Sequence, residues 1–454
     1  MQAQRLNLML DSVIRLVRRG AMANAINLLT KLRPVDIAQI LSQLQAYDRE
    51  TLFKSFTQHD LTKAAEALAE METETAVALL SKLEKEDVTR LLQELPSDDA
   101  ALLVGEMPED LREELLDTMK IEHSTDVQEL LGFADETAGR IMTPDYFALD
   151  EDVTVSEAIT ALQRRSEDFE MAFYLYVVDS RNHLLGVVSL RQLLLNSPST
   201  PLRKIMIGDV IKVSTGTDQE EVARIVATYN LLAVPVIDEE NKLAGIITVD
   251  DIIDVMREEA TEDIYALAGV DADDRAVGSA LTSVKLRLQW LALSLGTALI
   301  GVAVVQYYLA TIQHSILLAV MIPVVVTMGS YAATQTLTVV VRGIGLGEIS
   351  WETSWRVILK EGLVGFITGV LIGLLLFVII GFWFDWWLGG ILGVTMVMSL
   401  LMAGVFGTLI PVLLKRFRLD PALVSAVFVV TLTDVITLVF YLGIASLLIK
   451  YFRL

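Results

Sequence analysis

One aspartate stands inside an apolar segment long enough to cross a membrane, and its position suggests cation chemistry. Asp434 follows Thr431 and Thr433 in the last of five apolar runs between Trp290 and Ile449. An unpaired carboxylate in hydrocarbon costs several kcal/mol, so such a residue normally faces a bundle interior or a water-filled path. No lysine or arginine lies inside these runs to neutralise it. A cation pathway is the leading hypothesis, and the alternative is an aspartate that only ties helices together.

The overall composition limits the class of protein. The chain has 454 residues, of which 53% are hydrophobic, and a formal net charge of −22. Its mean hydropathy is +0.51, so it is too apolar for a soluble protein and too long for one domain. The acidic balance argues against nucleic acid or anionic lipid as a partner and favours a cation ligand. There is no cysteine, which excludes disulfides and thiolate metal sites but leaves hard cations bound by oxygen open.

Five apolar stretches are predicted to be membrane-spanning helices, because each has about 20 residues or more. Basic residues flank the predicted inner ends of the spans, while the loops at 310–314 and 384–386 contain none. The positive-inside rule therefore places the N-terminus in the cytoplasm and the C-terminus outside. The N-terminal segment does not resemble a secretory signal. The predicted spans are 289–309, 315–341, 362–383, 387–414 and 422–449.

Two of the spans carry a further local signal. Gly365, Gly369 and Gly373 recur at intervals of four in the third span, which permits close approach of a neighbouring helix. In the second span, Pro323 precedes a run of small and polar residues at 327–335. That run indicates either irregular backbone lining a protein or water-filled setting, or a plain kink.

The polar half of the chain contains an internal repeat with a constant offset of 59 residues. Val177-Val178-Asp179 recurs as Val236-Ile237-Asp238, and the segment 186–192 recurs as 245–251. Each copy predicts a helix, a β-branched strand, a polar turn, a second strand and another helix. This α/β pattern resembles a tandem CBS pair, a regulatory module that often binds adenine nucleotides. The pair is predicted over 138–258, with its leading helices at 155–165 and 219–228.

Acidic helical sequence flanks this repeat on both sides. Residues 1–132 carry leucine pairs every 11–13 residues between acidic turns, which predicts a superhelix of short amphipathic helices. After the repeat, an acidic connecting helix is predicted over 251–282. Its acidic face is either simply solvated or collects Mg²⁺ or Ca²⁺, ions that favour carboxylate oxygen. At 100° per residue, four acids lie within about 80° of one another on this face: Asp251, Asp254, Glu258 and Glu262.

The order of these parts resembles the MgtE family of magnesium channels over the whole chain. The most specific stretches are Thr248–Asp251, Glu259–Ile264, Asp420–Ser425 and Thr431–Asp434. The resemblance implies a multidomain fold: an α-helical superhelical N-domain, an α/β tandem CBS pair, a linking (plug) helix and a five-helix α transmembrane domain at 283–454. It also implies Mg²⁺ transport rather than enzymatic activity, a homodimer with its pore on the two-fold axis, and location in the bacterial cytoplasmic (inner) membrane.

The resemblance further assigns a pore and a cytosolic Mg²⁺ sensor to particular residues. Sensor acids bridged by Mg²⁺ would hold the pore shut, and their mutual repulsion would open it when Mg²⁺ falls. The implied pore residues are Asp434, Thr431, Val430, Gly329 and Gln335. The implied sensor acids are Asp99, Asp218, Glu220, Asp251, Asp254, Glu258, Glu259, Glu262 and Asp263. A weaker match to a nucleotide site comprises Tyr174 and Arg191.

The chain departs from the family pattern at the pore and at the nucleotide site. Relatives usually carry Gly-Gly-Asn-x-Gly-x-Gln in the second span, where this chain has Gly-Ser-Tyr-Ala-Ala-Thr-Gln at 329–335. They usually carry Ser-Asn-Pro where it has Ser-Ala-Val at 425–427. Gln192 replaces an aspartate that would hold a ribose, which leaves ATP binding open. The alternatives are therefore a channel for another cation, such as Co²⁺ or Mn²⁺, and a non-conducting Mg²⁺-sensing membrane protein.

Overall fold

The computed structural model describes residues 2–164, 174–271, 274, 279–417 and 421–452. The chain divides into two compact units, Met1–Met256 and Arg257–Leu454. Residue 165, the predicted end of the first repeat's leading helix, and Asp420 of the family motif lie outside the described residues.

Ten short helices precede the repeat in the described chain. They are α1 (Gln2–Arg18), α2 (Met22–Leu29), α3 (Pro34–Gln43), α4 (Ala46–His59), α5 (Leu61–Ala69), α6 (Thr73–Leu80), α7 (Lys85–Leu92), α8 (Ser97–Gly105), α9 (Glu109–Thr118) and α10 (Ile121–Leu131).

These helices form the predicted superhelix. Helices two apart in the chain pack together, with α3 on α5, α5 on α7, α7 on α9 and α8 on α10. Most leucine pairs supply the core: Leu91 and Leu92 are both buried, whereas Leu102 is exposed beside its buried neighbour. Caps set some of the helix starts. The side chain of Asp60 accepts a hydrogen bond from the backbone N–H of Lys63 (3.2 Å) and so begins α5.

The repeat folds into two three-stranded sheets with the same topology. Its elements are α11 (Ala138–Ile141), β1 (Ala148–Asp150), α12 (Val155–Arg164), β2 (Tyr174–Val178), β3 (Leu184–Ser189), α13 (Leu190–Leu195), β4 (Val213–Ser214), α14 (Gln219–Tyr229), β5 (Ala233–Ile237) and β6 (Leu243–Thr248).

The strand register reproduces the 59-residue offset of the sequence. In each sheet the first strand is parallel to the second, and the second is antiparallel to the third. Val177 pairs with Gly186 in the first sheet, and Val236 pairs with Gly245 in the second. The register shifts after Val177 and again after Val236. The two leading helices, α12 and α14, match their predicted ranges to within one residue, so the predicted α/β repeat is confirmed.

The N-terminal superhelix and the second repeat share one hydrophobic core. Val222 and Val226 of α14 belong to the same buried cluster as Leu130 of α10. Ile252 and Val255 of the following helix, α15 (Val249–Leu267), belong to it as well. The start of the acidic helix is therefore anchored inside the first unit by apolar side chains.

The acidic connecting helix is shorter than predicted. It ends because Gly269 adopts a left-handed conformation, with φ of +67°, and the N–H of Val270 bonds back to the carbonyl of Tyr265 (3.0 Å). The prediction of one helix over 251–282 is therefore wrong beyond Leu267. Its positions 272–273 and 275–278 lie outside the described residues.

Five long apolar helices follow in the described chain, each long enough to cross a membrane. All five predicted spans are confirmed as helices, although the first and the third begin nine and eight residues before their predicted starts at 289 and 362. A short extra helix occupies the whole of the predicted loop at 310–314. The elements are α16 (Ala280–Tyr307), α17 (Leu309–His314), α18 (Ile316–Gly345), α19 (Ser354–Trp383), α20 (Trp386–Arg416) and α21 (Pro421–Phe452).

Helix α18 continues without interruption through Pro323 and the polar run at 327–335. Of the two alternatives for this run, irregular backbone is therefore wrong. Hydroxyls in this run bond to carbonyls one turn earlier in the same helix: Ser330 Oγ to Val326 O and Thr334 Oγ1 to Ser330 O, both at 3.0 Å. Hydroxyl side chains can thus be accommodated in a membrane helix without breaking it.

The glycines of α19 allow its backbone to approach α20 closely, as their spacing predicts. A Cβ added to Gly369 would lie 2.8 Å from the Cα of Val397, and one added to Gly373 would lie 2.5 Å from the carbonyl oxygen of Gly393. Both neighbours are backbone atoms, which cannot move aside as a flexible side chain can. These two helices therefore depend on the absence of side chains at their contact.

We expect Gly369→Ala to lower the unfolding temperature of the detergent-solubilised protein. The added methyl group overpacks the contact between the two helices, which lowers the free energy of unfolding by about 1–3 kcal/mol. The matched control is Gly390→Ala in α20, where an added Cβ meets no atom within 4 Å. There the higher helix propensity of alanine should leave the unfolding temperature unchanged or raise it. Equal unfolding temperatures for the two variants would contradict the close packing.

Candidate functional site

A cavity of about 440 Å³ lies among α16, α18 and α21. Its polar lining comes from Ser294 and Thr297 of α16 and from Thr431 and Asp434 of α21, while most of the remaining wall is valine. Six water molecules at about 30 Å³ each occupy roughly 180 Å³. The cavity therefore has room for a divalent cation that keeps its first shell of water, as Mg²⁺ prefers to do.

Asp434 lines this cavity and is half-buried. Its Oδ1 accepts a hydrogen bond from the hydroxyl of Ser330 in α18 (2.6 Å). No basic side chain of the described ranges forms an ion pair with it. The bond to Ser330 joins α18 to α21, so this aspartate does tie helices together, which was the alternative to a role in a cation pathway. That tie leaves the second carboxylate oxygen without a hydrogen-bond partner among the described residues, beside a space large enough for a hydrated ion.

A group of buried hydroxyls packs behind the cavity wall. Ser399 of α20 and Thr437 of α21 hydrogen-bond to each other (2.5 Å), and both are fully buried. Thr433 is also fully buried, and its Oγ1 has no hydrogen-bond partner among the described residues. A Cβ added to Gly329 would lie 2.8 Å from Ser399 Oγ and 2.9 Å from Thr437 Oγ1. Gly329 therefore lets α18 contact this group of hydroxyls.

The predicted pore residues are not all brought together. Asp434, Thr431 and Val430 line the cavity, whereas Gly329 and Gln335 are absent from its lining. Gly329 is buried at the hydroxyl group, and Gln335 is exposed. The carbonyl of Val430 lies inside a regular helix, where it accepts the N–H of the residue four positions later.

In the first unit, acids from the N-terminal superhelix face acids of α15. Asp98 is partly exposed, but its Oδ1 is enclosed and has no hydrogen-bond partner among the described residues. Burial raises the pKa of Asp98 well above its usual range, and the charges of Asp251 and Asp99 raise it further. Thr248 bonds to Asp251 through its backbone N–H (3.2 Å) and its hydroxyl, which fixes that carboxylate at the start of α15.

Glu70 adds a second acid from the superhelix. Partial burial raises its pKa, and the charges of Asp254 and Asp250 raise it further. We call the set formed by Glu70, Asp98, Asp99, Asp250, Asp251 and Asp254 the acidic contact. Within the described residues, no three acidic or histidine side chains already converge as metal ligands. The acidic contact is thus a region of like charge and not a closed ligand cage, which suits an ion that binds through its water.

The other predicted sensor acids lie elsewhere on the two units. Asp218 caps α14, where its side chain accepts a hydrogen bond from the backbone N–H of Glu220 (2.9 Å), and both residues are exposed. This gives Asp218 a structural role that the sequence did not reveal. In the second unit, the remaining acids follow one another along α15 and are exposed or half-buried: Glu258, Glu259, Glu262 and Asp263.

The nucleotide match is only partly supported by local structure. Tyr174 begins β2 and is half-buried, and Arg191 is exposed on α13. Gln192 is already engaged: its Oε1 accepts from the backbone N–H of Ser189 (2.8 Å), and its Nε2 donates to the carbonyl of Ile205 (3.0 Å). It therefore serves as part of a helix cap and offers no carboxylate to a ribose.

Sequence reasoning missed Ser330, Asp98 and Glu70. Ser330 carries no signal in a single chain, because its contact with Asp434 joins residues 104 positions apart. Asp98 was hidden by its neighbour: spacing along the chain does not say which of two adjacent acids points toward α15. Glu70 follows the end of a short helix, where an acid is ordinarily solvated.

Known families match three parts of the chain, and known proteins match about three quarters of it. A family described as a divalent cation transporter, MgtE, matches residues 322–444. The MgtE intracellular N domain matches 32–136, and the CBS domain matches 138–198 and 202–258. The magnesium transporter MgtE of Thermus thermophilus is 35% identical over 340 residues, covering 74% of this chain and 76% of the relative. The protein of the same name from Enterococcus faecalis is 34% identical over 332 residues, covering 73% of each.

Two solved structures resemble the polar half. One is the soluble part of a magnesium transporter, with a TM-score of 0.51 and 32% identity, covering 56% of this chain and 99% of that one. The other is the cytosolic domain of the Mg²⁺ channel MgtE in complex with ATP, with a TM-score of 0.51 and 34% identity, covering 54% and 99%.

Proposed function

Because the chain belongs to the MgtE family of divalent cation transporters, we propose that it conducts Mg²⁺ across the membrane past Asp434 under the control of cytosolic Mg²⁺. Membership of this family confirms the prediction of a multi-pass transporter rather than an enzyme. The observation that carries the proposal is the placement of Asp434. It is a carboxylate without a basic partner in the described chain, and it lines a cavity among three membrane-spanning helices.

The cavity residues suit a cation that arrives with its water. Asp434 supplies the negative charge, and the hydroxyls of Ser294, Thr297 and Thr431 can accept hydrogen bonds from coordinated water molecules. Mg²⁺ dehydrates reluctantly and is commonly held by one or two carboxylates while several waters remain. Recognition through the water shell needs few direct ligands, which is what this wall offers.

The acidic contact supports the proposed gate. Its acids come from the superhelix and from the start of α15, and burial together with like charge makes their ionised forms costly. Mg²⁺ in the cytosol would neutralise this repulsion and favour the closed arrangement. When Mg²⁺ falls, the repulsion among these acids favours separation of the superhelix from α15. Such control requires only that the ion bind one arrangement more tightly than the other.

Assembly and orientation are part of the same proposal. We propose a homodimer in the bacterial inner membrane, with the N-terminus in the cytoplasm and the C-terminus outside. None of the described residues of α16 is buried within one chain, although α16 forms part of the cavity wall, so a second copy has a surface to cover. The orientation is proposed from the positive-inside rule, because basic residues precede the first span and lie between the second and third spans and after the fourth: Lys285, Arg287, Arg342, Arg356, Lys360, Lys415 and Arg416.

The CBS pair offers a nucleotide only part of the expected site. Tyr174 and Arg191 would contact the nucleotide, as in the family, but the engagement of Gln192 in a helix cap removes a ribose ligand. Mg²⁺ is therefore proposed as the cargo and the regulatory ion, and transport does not depend on ATP in this proposal.

The proposal is tested by ion flux through the purified protein in liposomes loaded with a Mg²⁺-sensitive dye. We expect Mg²⁺ entry above that of liposomes without protein. We expect Co²⁺ and Mn²⁺, each measured with a dye that responds to it, to enter more slowly than Mg²⁺. If Co²⁺ or Mn²⁺ enters faster than Mg²⁺, that ion and not Mg²⁺ is the transported cation. If Mg²⁺ protects the first unit from proteolysis but none of these ions enters the liposomes, the protein is a membrane sensor and not a channel.

A further inference from the structure

The hydroxyl of Ser330 lies between two acceptors that belong to different helices. Its Oγ is 2.6 Å from Oδ1 of Asp434 in α21 and 3.0 Å from the carbonyl oxygen of Val326, one turn earlier in α18. A serine hydroxyl has a single proton and can rotate freely to suit its surroundings. It can therefore donate to only one of these oxygens at a time. Both acceptor residues line the cavity.

We propose that Ser330 sets the affinity of Asp434 for the transported cation by competing with that cation for the carboxylate. This inference rests on the proposed function and names a residue that tunes it. When the hydroxyl points to Asp434, it forms a charge-assisted hydrogen bond with one carboxylate oxygen in a half-buried site. A hydrated cation whose water shell contacts both carboxylate oxygens must displace that bond, although one that contacts only the second oxygen need not. The hydroxyl then turns to the carbonyl of Val326 and keeps one hydrogen bond in either state.

The competition has a direct consequence for conduction. An ion must be bound well enough to enter a narrow path and weakly enough to leave it. Without a hydrogen-bond donor, Asp434 would bind a divalent cation tightly, because the cation alone would balance its charge. Ser330 stabilises the ion-free state of the carboxylate, so it lowers the affinity for the cation and speeds its release.

The competing explanation is that Ser330 is an ordinary helix hydroxyl. Several other hydroxyls of the membrane helices bond to a carbonyl one turn earlier, for example Thr334 to Ser330 (3.0 Å) and Thr368 to Val364 (2.7 Å). These contacts stay within one helix. Ser330 differs because its second and shorter contact reaches a carboxylate on another helix, so its loss should change how Asp434 binds cations and not only how α18 is held.

The test compares the concentration dependence of Mg²⁺ flux for the full chain and for Ser330→Ala in liposomes. Because the hydroxyl exchanges a bond to a charged group for a bond to a neutral carbonyl, its removal predicts a fall of about two- to thirtyfold in KM. The maximum rate should also fall, because release slows. Ser330→Thr keeps a hydroxyl and should restore KM to near the unaltered value. Thr368→Ala is the matched control, since it removes a hydroxyl that bonds only to its own helix, and it should leave KM unchanged.

Several outcomes would overturn the proposal. An unchanged KM with a lower maximum rate would show a packing role for Ser330, and a raised KM would show that its oxygen is a ligand and not a competitor. If the unaltered protein shows no flux, the proposed function fails, and calorimetric titration with Mg²⁺ then tests the inference separately. In that measurement, the Mg²⁺ site that disappears in Asp434→Asn is the site at this carboxylate. Its dissociation constant should be lower in Ser330→Ala than in the unaltered protein. If Ser330→Ala does not fold, Ser330→Gly also lacks the hydroxyl and should change affinity in the same direction.

Discussion

Asp434→Asn is expected to reduce Mg²⁺ flux to the background of empty liposomes, the largest effect of any single substitution considered. Asparagine has the shape of aspartate and can still accept a hydrogen bond from Ser330, but it lacks the charge. A divalent cation in the cavity then loses an interaction with a charged ligand worth about 3 kcal/mol, which corresponds to more than a hundredfold in binding. The measurement is Mg²⁺ entry into dye-loaded liposomes at matched protein content.

The control for this substitution is Asp385→Asn. Asp385 caps α20, where its side chain accepts a hydrogen bond from the backbone N–H of Trp387 (2.8 Å), and asparagine caps a helix about as well as aspartate. Flux through this variant should match that of the unaltered protein. Normal flux through Asp434→Asn, with both variants monodisperse, would refute the role assigned to the carboxylate.

Neutralising the acidic contact with Asp98→Asn and Asp251→Asn together is expected to abolish most of the stabilisation that Mg²⁺ gives the cytosolic part. Mg²⁺ at about 100 times its dissociation constant should stabilise the unaltered protein by about 2.7 kcal/mol. Without Mg²⁺, the double variant should be more protease-resistant than the unaltered protein, because two of the acids that repel one another are gone. Limited proteolysis across 250–282, with and without millimolar Mg²⁺, measures both effects.

Glu113→Gln with Asp117→Asn provides the matched control, since it removes the same amount of charge from two exposed positions of α9. This pair should retain Mg²⁺ protection. Should it lose protection as fully as the pair in the acidic contact, the effect would come from overall charge and the proposed sensor would fail. Absence of Mg²⁺ protection in the unaltered protein would have the same consequence.

Much of the fold was predictable because its signals are local or repeated. Runs of about 20 apolar residues can hardly be anything but membrane helices, and all five were found, although the first and the third begin nine and eight residues before their predicted starts. The 59-residue offset predicted two like sheets, since the pairing of Val177 with Gly186 must recur at Val236 and Gly245. Helix ends were harder to predict. The end of α15 depends on the left-handed conformation of Gly269, one glycine among 27 in the chain.

The candidate site was predictable in its charged residue but not in its surroundings. A lone carboxylate in an apolar run identifies Asp434, whereas nothing in the sequence tells which hydroxyl faces it across another helix. The same limit applies to Gly329, which motif resemblance placed in the pore and the structure places against Ser399 and Thr437. Contacts between helices depend on rotation of each helix about its axis, and apolar helices exposed to lipid on many sides carry little periodic signal to set that rotation.

Pro323 gives α18 a place to bend. Proline has no N–H to donate, so the carbonyl of Ala319, four residues earlier, lacks its usual partner in the helix. A bend at this point would change the tilt of the part of α18 that follows Pro323. Ser330 lies two turns beyond the proline. A change in tilt at Pro323 would therefore alter the 2.6 Å contact between Ser330 and Asp434.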